Sequence, residues 1–105
     1  MTDKRIVLST AGSQEEAHKI AHFIVEHHLA ACVNIVPHIE SIYRWQGKME
    51  SSTEWLLLIK TTQEKFPAVR DAVGRLHSYD LPECVVLAIE DGSAPYLEWI
   101  AESTK

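Results

Sequence analysis

The sequence predicts an α+β fold: one antiparallel sheet of four strands, two amphipathic helices on a single face of it, and a short helix closing the chain. Three observations carry this. Strand-like and helix-like hydrophobic periods alternate in the order β-α-β-β-α-β. Each main helix is preceded by Ser/Thr-x-x-Glu, a start signal. The 105 residues, 46% apolar and 24% charged, suit one core rather than two, so residues 1–105 are read as one domain.

Arg5 to Thr10 (RIVLST) is short, apolar and β-branched, and reads as the first strand. It stops at Ala11-Gly12. Ser13-Gln14-Glu15-Glu16 has the capping-box pattern, in which the Ser13 hydroxyl accepts from the Glu16 amide and the Glu16 carboxylate reaches back. Ala17, Ile20, Ala21, Ile24, Val25 and His28 then share one helical stripe, with Lys19, His22 and Glu26 opposite. Ala31 to Trp45 reads as the second strand, with Val33, Ile35, Ile39, Tyr43 and Trp45 in one phase. Pro37 predicts a bend or bulge there and an edge position for the strand. Gln46-Gly47-Lys48 turns the chain into a third strand, Lys48 to Thr61. It opens polar and ends in Trp55-Leu56-Leu57-Leu58-Ile59, apolar in both phases. Thr61-x-x-Glu64 is a second capping box, with Pro67 tolerated in the first turn that follows. Phe66, Val69, Val73 and Leu76 line that helix, whose pattern breaks at His77 to Pro82. Glu83 to Ile89 (ECVVLAI) reads as the fourth strand, Asp91-Gly92 as a turn, and Pro95 to Ala101 as the terminal helix.

Two right-handed crossovers put both main helices on one face, the ferredoxin-like arrangement. A strand with one wet face alternates apolar and polar residues, and the third and fourth strands do not. The terminal helix is long enough to mask only part of the second face, and a small hydrophobic ligand is another cover. Burying Trp55, Leu57 or Leu56, and Val86 contributes roughly 1.5–3 kcal/mol each, against a domain stability of about 5–15 kcal/mol. Self-association is the reading adopted: a homo-oligomer, with the Ser41–Thr61 hairpin projecting as an arm.

The bulk numbers exclude several classes. A net charge of −5 without a basic stripe argues against nucleic-acid binding through phosphates. No apolar run approaches the roughly 20 residues of a membrane span. The polar start MTDKRIVLST does not read as a signal peptide. Cys32 and Cys84 sit in apolar segments rather than a C-x-x-C pair, and read as free thiols of a reducing cytoplasm.

Five stretches together resemble the CutA family of divalent-cation-tolerance proteins. They are Ala30-Ala31-Cys32-Val33-Asn34-Ile35-Val36-Pro37, Ser41-Ile42-Tyr43-Arg44-Trp45-Gln46-Gly47-Lys48, Leu58-Ile59-Lys60-Thr61-Thr62, Tyr79-x-x-Pro82-Glu83 and Tyr96-Leu97-x-Trp99-Ile100. They span nearly the whole chain in the family's order. The resemblance implies a ferredoxin-like fold assembled as a homotrimer, an architecture shared with PII-like signalling proteins. It also implies a link to copper and divalent metals, with a suggested site of a first-strand cysteine and a His-His pair after the second main helix. Here Ser9 stands for that cysteine, Leu76 for the first histidine, and only His77 remains. A thiolate and two imidazoles suit copper; one imidazole and a hydroxyl hold it weakly.

His77 reads either as a metal ligand beside Tyr79 and Glu83 or, the favoured alternative, as a cap on the last turn of its helix. His18 and His22, at i and i+4 with Glu26 continuing the row, have the spacing to chelate a transition metal. A solvated helix face is the plainer account of that pair. His28 is expected to pack at the helix end, His27 and His38 to lie at the surface. Tyr43, Trp45, Lys60, Tyr79 and Glu83 are placed together as an intersubunit cleft suited to a small polar ligand, with interface packing the plainer account of Tyr43 and Trp45. No phosphate loop and no paired nucleophile and base point to an enzyme. Three functional readings follow: a cytoplasmic CutA-like trimer with weak binding of copper or another divalent metal, a PII-like sensor with a small molecule in its cleft, or a scaffold engaging a protein partner.

Overall fold

The strand order is β2-β3-β1-β4, every neighbouring pair antiparallel. The computed structural model describes residues 2–105, and in them runs β1 (Lys4–Ala11), α1 (Gln14–Glu26), β2 (Cys32–Trp45), β3 (Lys48–Thr62), α2 (Phe66–Leu76), β4 (Val85–Ala88) and α3 (Ala94–Ser103). This is the expected α+β, ferredoxin-like order with its extra helix.

α1 and α2 lie on one face. Ala17, Ile20, Ala21 and Ile24 of α1 meet Val69, Ala72 and Val73 of α2 over Val7, Leu57 and Ile59 of the sheet, all buried in one cluster. Leu57 therefore belongs to the covered phase of β3. Leu56 and Leu58 point the other way, with Ile6 and Leu8 of β1, and are half-buried. α3 lies against β3 and β1 from that second side. Its Tyr96 hydroxyl stands 3.8 Å from Cys32 Sγ, and Cys32 is paired with Lys60, out of phase with Ile59. Ile100 is fully buried there. As expected, the short helix covers only part of this face: Leu87, opposite Ile6, is still 51% exposed.

β2 is an edge strand, and its register slips between Val36 and Ile39 around Pro37, with His38 at φ 56°. Both features follow from the missing proline amide. Gln46 (φ 50°) and Gly47 (φ 80°) form a two-residue turn between the paired Trp45 and Lys48, the left-handed backbone that a tight hairpin requires. The hairpin stretches the molecule to 44 × 25 × 22 Å and leaves Ile42 and Met49 at its tip widely exposed.

Four local expectations are corrected. The Ser13 hydroxyl does accept from the Glu16 amide at 3.1 Å, but the Glu16 carboxylate turns outward to Ser78 instead of back to Ser13. The hydroxyl serving the start of α2 belongs to Thr62, which accepts from Lys65 N–H at 3.2 Å; Thr61 instead donates to the Leu29 carbonyl. Strand alternation explains this, because Thr61 points into the helix side. α1 ends at Glu26, so His28 falls beyond it at φ 61°, exposed, while Val25 is itself 39% exposed. β4 is shorter than Glu83–Ile89, pairing only with Arg5–Leu8 of β1.

Candidate functional site

A concavity of about 760 Å³ lies where the bent second half of β2 meets the end of β1 and the loop after α2. β2 contributes Glu40, Tyr43, Arg44 and Trp45, β1 contributes Thr10, β3 contributes Glu54, and the loop contributes Tyr79, Asp80, Leu81 and Glu83. The bulge near Pro37 re-aims the strand, and the residues that line the cleft from β2 all lie beyond it.

His77 fastens the loop. Its side chain is fully buried. Nε2 lies 2.6 Å from the Thr10 carbonyl and donates to it, which leaves Nδ1 of the neutral ring to accept the Tyr79 N–H at 3.1 Å. Glu16 Oε1 is also 3.1 Å from Nδ1. The Glu16 carboxylate accepts from Ser78 N–H at 2.7 Å and Ser78 Oγ at 2.8 Å. Burial works against its charged form, but those two bonds and the adjacent His77 hold Glu16 below the usual carboxylate range. The first turn of α1 and the end of α2 are thereby joined.

The same loop sets Tyr79 over Gly12, where a Cβ would come within 2.8 Å of the phenol oxygen. Glycine permits that approach. From there Tyr79 donates to Glu54 Oε2 at 2.8 Å. Burial, and then the Glu54 carboxylate, push the Tyr79 phenol well above its ordinary range, so it stays a donor.

Of the five residues placed together from sequence, Tyr43, Trp45, Tyr79 and Glu83 share this cleft. Lys60 does not. It stands six residues along β3 from Glu54, about 20 Å at strand rise, where its ammonium bonds Asn34 Oδ1 and lies 3.7 Å from Cys32 Sγ. Glu54, only 7% exposed, was not singled out. Its signal was a lone carboxylate heading the apolar run, in phase with Leu56 and Leu58.

The metal positions come out differently. His77 offers no free ring nitrogen. Ser9 is fully buried with Oγ unpartnered among the described residues, and Leu76 is half-buried beside the core. A hydroxyl, an isobutyl group and an engaged imidazole do not fit copper. His18 and His22 are exposed on α1 with ring centroids 6.3 Å apart. Among the described residues no three His, Cys, Asp or Glu converge on a metal position. Cys32 and Cys84 are free thiols, half-buried, and burial raises the Cys84 thiol.

The sheet order, the two-sided packing and the hairpin arm define a ferredoxin-like α+β protein with an aromatic, acidic cleft at one end. Residues 5–103 match the family described as CutA1 divalent ion tolerance protein, and the chain belongs to that family. The divalent-cation tolerance protein CutA of Thermus thermophilus is 50% identical over 101 residues, covering 96% of this chain and 98% of that protein. The chloroplastic protein CutA of Arabidopsis thaliana is 47% identical over 100 residues, covering 95% of this chain but 55% of that longer protein. The solved structure of the periplasmic divalent cation tolerance protein CutA from Archaeoglobus fulgidus is 44% identical. It superimposes with a TM-score of 0.94, covering 97% of this chain and 99% of that one. The family resemblance read from the five sequence stretches is borne out.

Proposed function

We propose that the chain is a homotrimeric, non-enzymatic protein of the divalent-cation response, working in a reducing compartment such as the cytoplasm. The observation that carries this is the family match over residues 5–103, joined to a sheet face that α3 leaves partly open. The free thiols of Cys32 and Cys84 accord with a reducing setting. Metal binding is weak and two-point, through His18 and His22, because two imidazoles at i and i+4 are the ligands left to the surface. Native mass spectrometry of the metal-stripped protein, titrated with copper(II) and then zinc(II), tests it. Stoichiometric uptake by a trimer that disappears in His18→Ala/His22→Ala and survives in His77→Gln is the expected result. A bare trimer at micromolar copper ends the metal role, and uptake surviving the double variant moves the site elsewhere.

The cleft favours a second reading, a PII-like sensor that signals to a protein partner through a small ligand. Its volume of about 760 Å³ falls within the 300–1,000 Å³ or so of ordinary ligand sites. A ligand at 100 times its dissociation constant adds about 2.7 kcal/mol to folding stability, so a thermal-shift survey of metabolites reads this out. A survey with no shift returns the cleft to plain packing.

A further inference from the structure

We propose that the cleft beside Glu54 binds an organic cation, an amine or guanidine carried on a short apolar body. The proposal rests on the sensor reading and names the chemistry of its ligand.

Four carboxylates, Glu40, Glu54, Asp80 and Glu83, face the cleft against a single guanidinium, Arg44. The charge balance disfavours an anion, including any phosphate-bearing ligand. Glu54 adds an independent pointer. It is more than nine-tenths buried, and its Oε2 is taken by Tyr79 at 2.8 Å. Its other oxygen has no hydrogen bond, and no cation stands within 4.0 Å of it, among the described residues. A buried carboxylate ordinarily has a cationic or metal partner. Ser9 Oγ is the one polar side-chain atom sealed from solvent without a partner among the described residues, so the second Glu54 oxygen is not sealed, and it opens on the cleft that Glu54 lines.

A divalent metal does not answer that requirement, because no three ligating side chains converge among the described residues. The negative charge is spread along the wall instead, which matches an extended cation with one or more nitrogens. Tyr43, Trp45 and Tyr79 supply the rest: ring faces attract a guanidinium or ammonium and cover the apolar body that carries it. Tyr79 also fixes Glu54. Its hydroxyl remains protonated and donates to one oxygen, so the carboxylate presents the other.

The experiment is isothermal titration calorimetry of the full chain with agmatine and spermidine as probes, glutarate as the anionic counterpart and zinc(II) as the metal. The expected result is one agmatine or spermidine per chain, with affinity falling as salt rises. Glu54→Gln should weaken that binding by roughly tenfold or more. Gln at 54 keeps an acceptor for Tyr79, so an unchanged circular dichroism spectrum and Tm show that the fold is intact. Glu64→Gln, outside the cleft, should leave the affinity as it is. Silence with both amines at millimolar concentration, unchanged affinity in Glu54→Gln, or tighter binding of glutarate each overturns the assignment. A metabolite that shifts Tm while both amines stay silent ends the cation inference alone; a flat survey ends the sensor reading with it.

Discussion

The two faces of this sheet are built from the same kinds of residue and covered by different means. Val7, Leu57 and Ile59 lie fully buried beneath α1 and α2. One residue away along β3, Leu56 and Leu58 are half-buried against α3, and Val85 and Leu87 on the β4 edge stay about half exposed. The strands do not differ in hydrophobicity between their phases. What differs is the helix surface available: two amphipathic helices on one side, one ten-residue helix on the other. A strand that is apolar in both phases therefore records two burials, and this chain completes only one of them by itself.

Three substitutions sharpen that contrast. The largest loss of stability is expected from Leu57→Ala on the covered face, about 2–5 kcal/mol by urea denaturation, because nothing beside a closed core relaxes to fill the gap. A loss well under 1 kcal/mol would mean the core is not closed there. Leu87→Lys on the open face should leave the circular dichroism of the protomer unchanged and shift the assembly to smaller species at micromolar concentration. It removes about 1 kcal/mol of apolar burial per chain, since half of the side chain is already covered in the protomer, and puts a charge in its place. An intact assembly in that variant would take Leu87 out of any interface.

The smallest effect concerns pH. Glu16 has its folded pKa depressed, so the stability it contributes is complete above the ordinary glutamate value of about 4.3. That contribution is lost as pH falls through the lower folded value. Glu16→Gln should therefore be less stable than the parent near neutrality, with the gap closing below pH 4 or so. A gap constant with pH would show that the Ser78 hydrogen bonds do not depend on the Glu16 charge.

The fold was legible because its elements announce themselves locally. Ser13 and the 3.6-residue stripe behind it fixed α1, Pro37 marked the bulge on an edge strand, and the failed alternation of Trp55 to Ile59 marked the two-sided packing. What was not legible depends on pairing register and loop path. Thr61 and Thr62 differ by one position, and only their alternation across β3 decides which hydroxyl reaches α2. Lys60 was grouped with the cleft because it stands near a strand end like the other four, while β3 carries it away toward Asn34 and Cys32. Glu54 was missed because nothing local says that a loop 25 residues later will lay Tyr79 on it. His77 stands at the C-cap of α2 through its backbone N–H, but its ring bonds the Thr10 carbonyl rather than its own helix, and Thr10 and Glu16 come from separate segments that only the closed fold brings together.

The central claim is that the open face is closed by copies of this chain. Sedimentation equilibrium of the 105-residue chain at micromolar concentration tests it most directly. A single species of three times the chain mass is the predicted result, and a stable, soluble monomer with Leu87 exposed would contradict it.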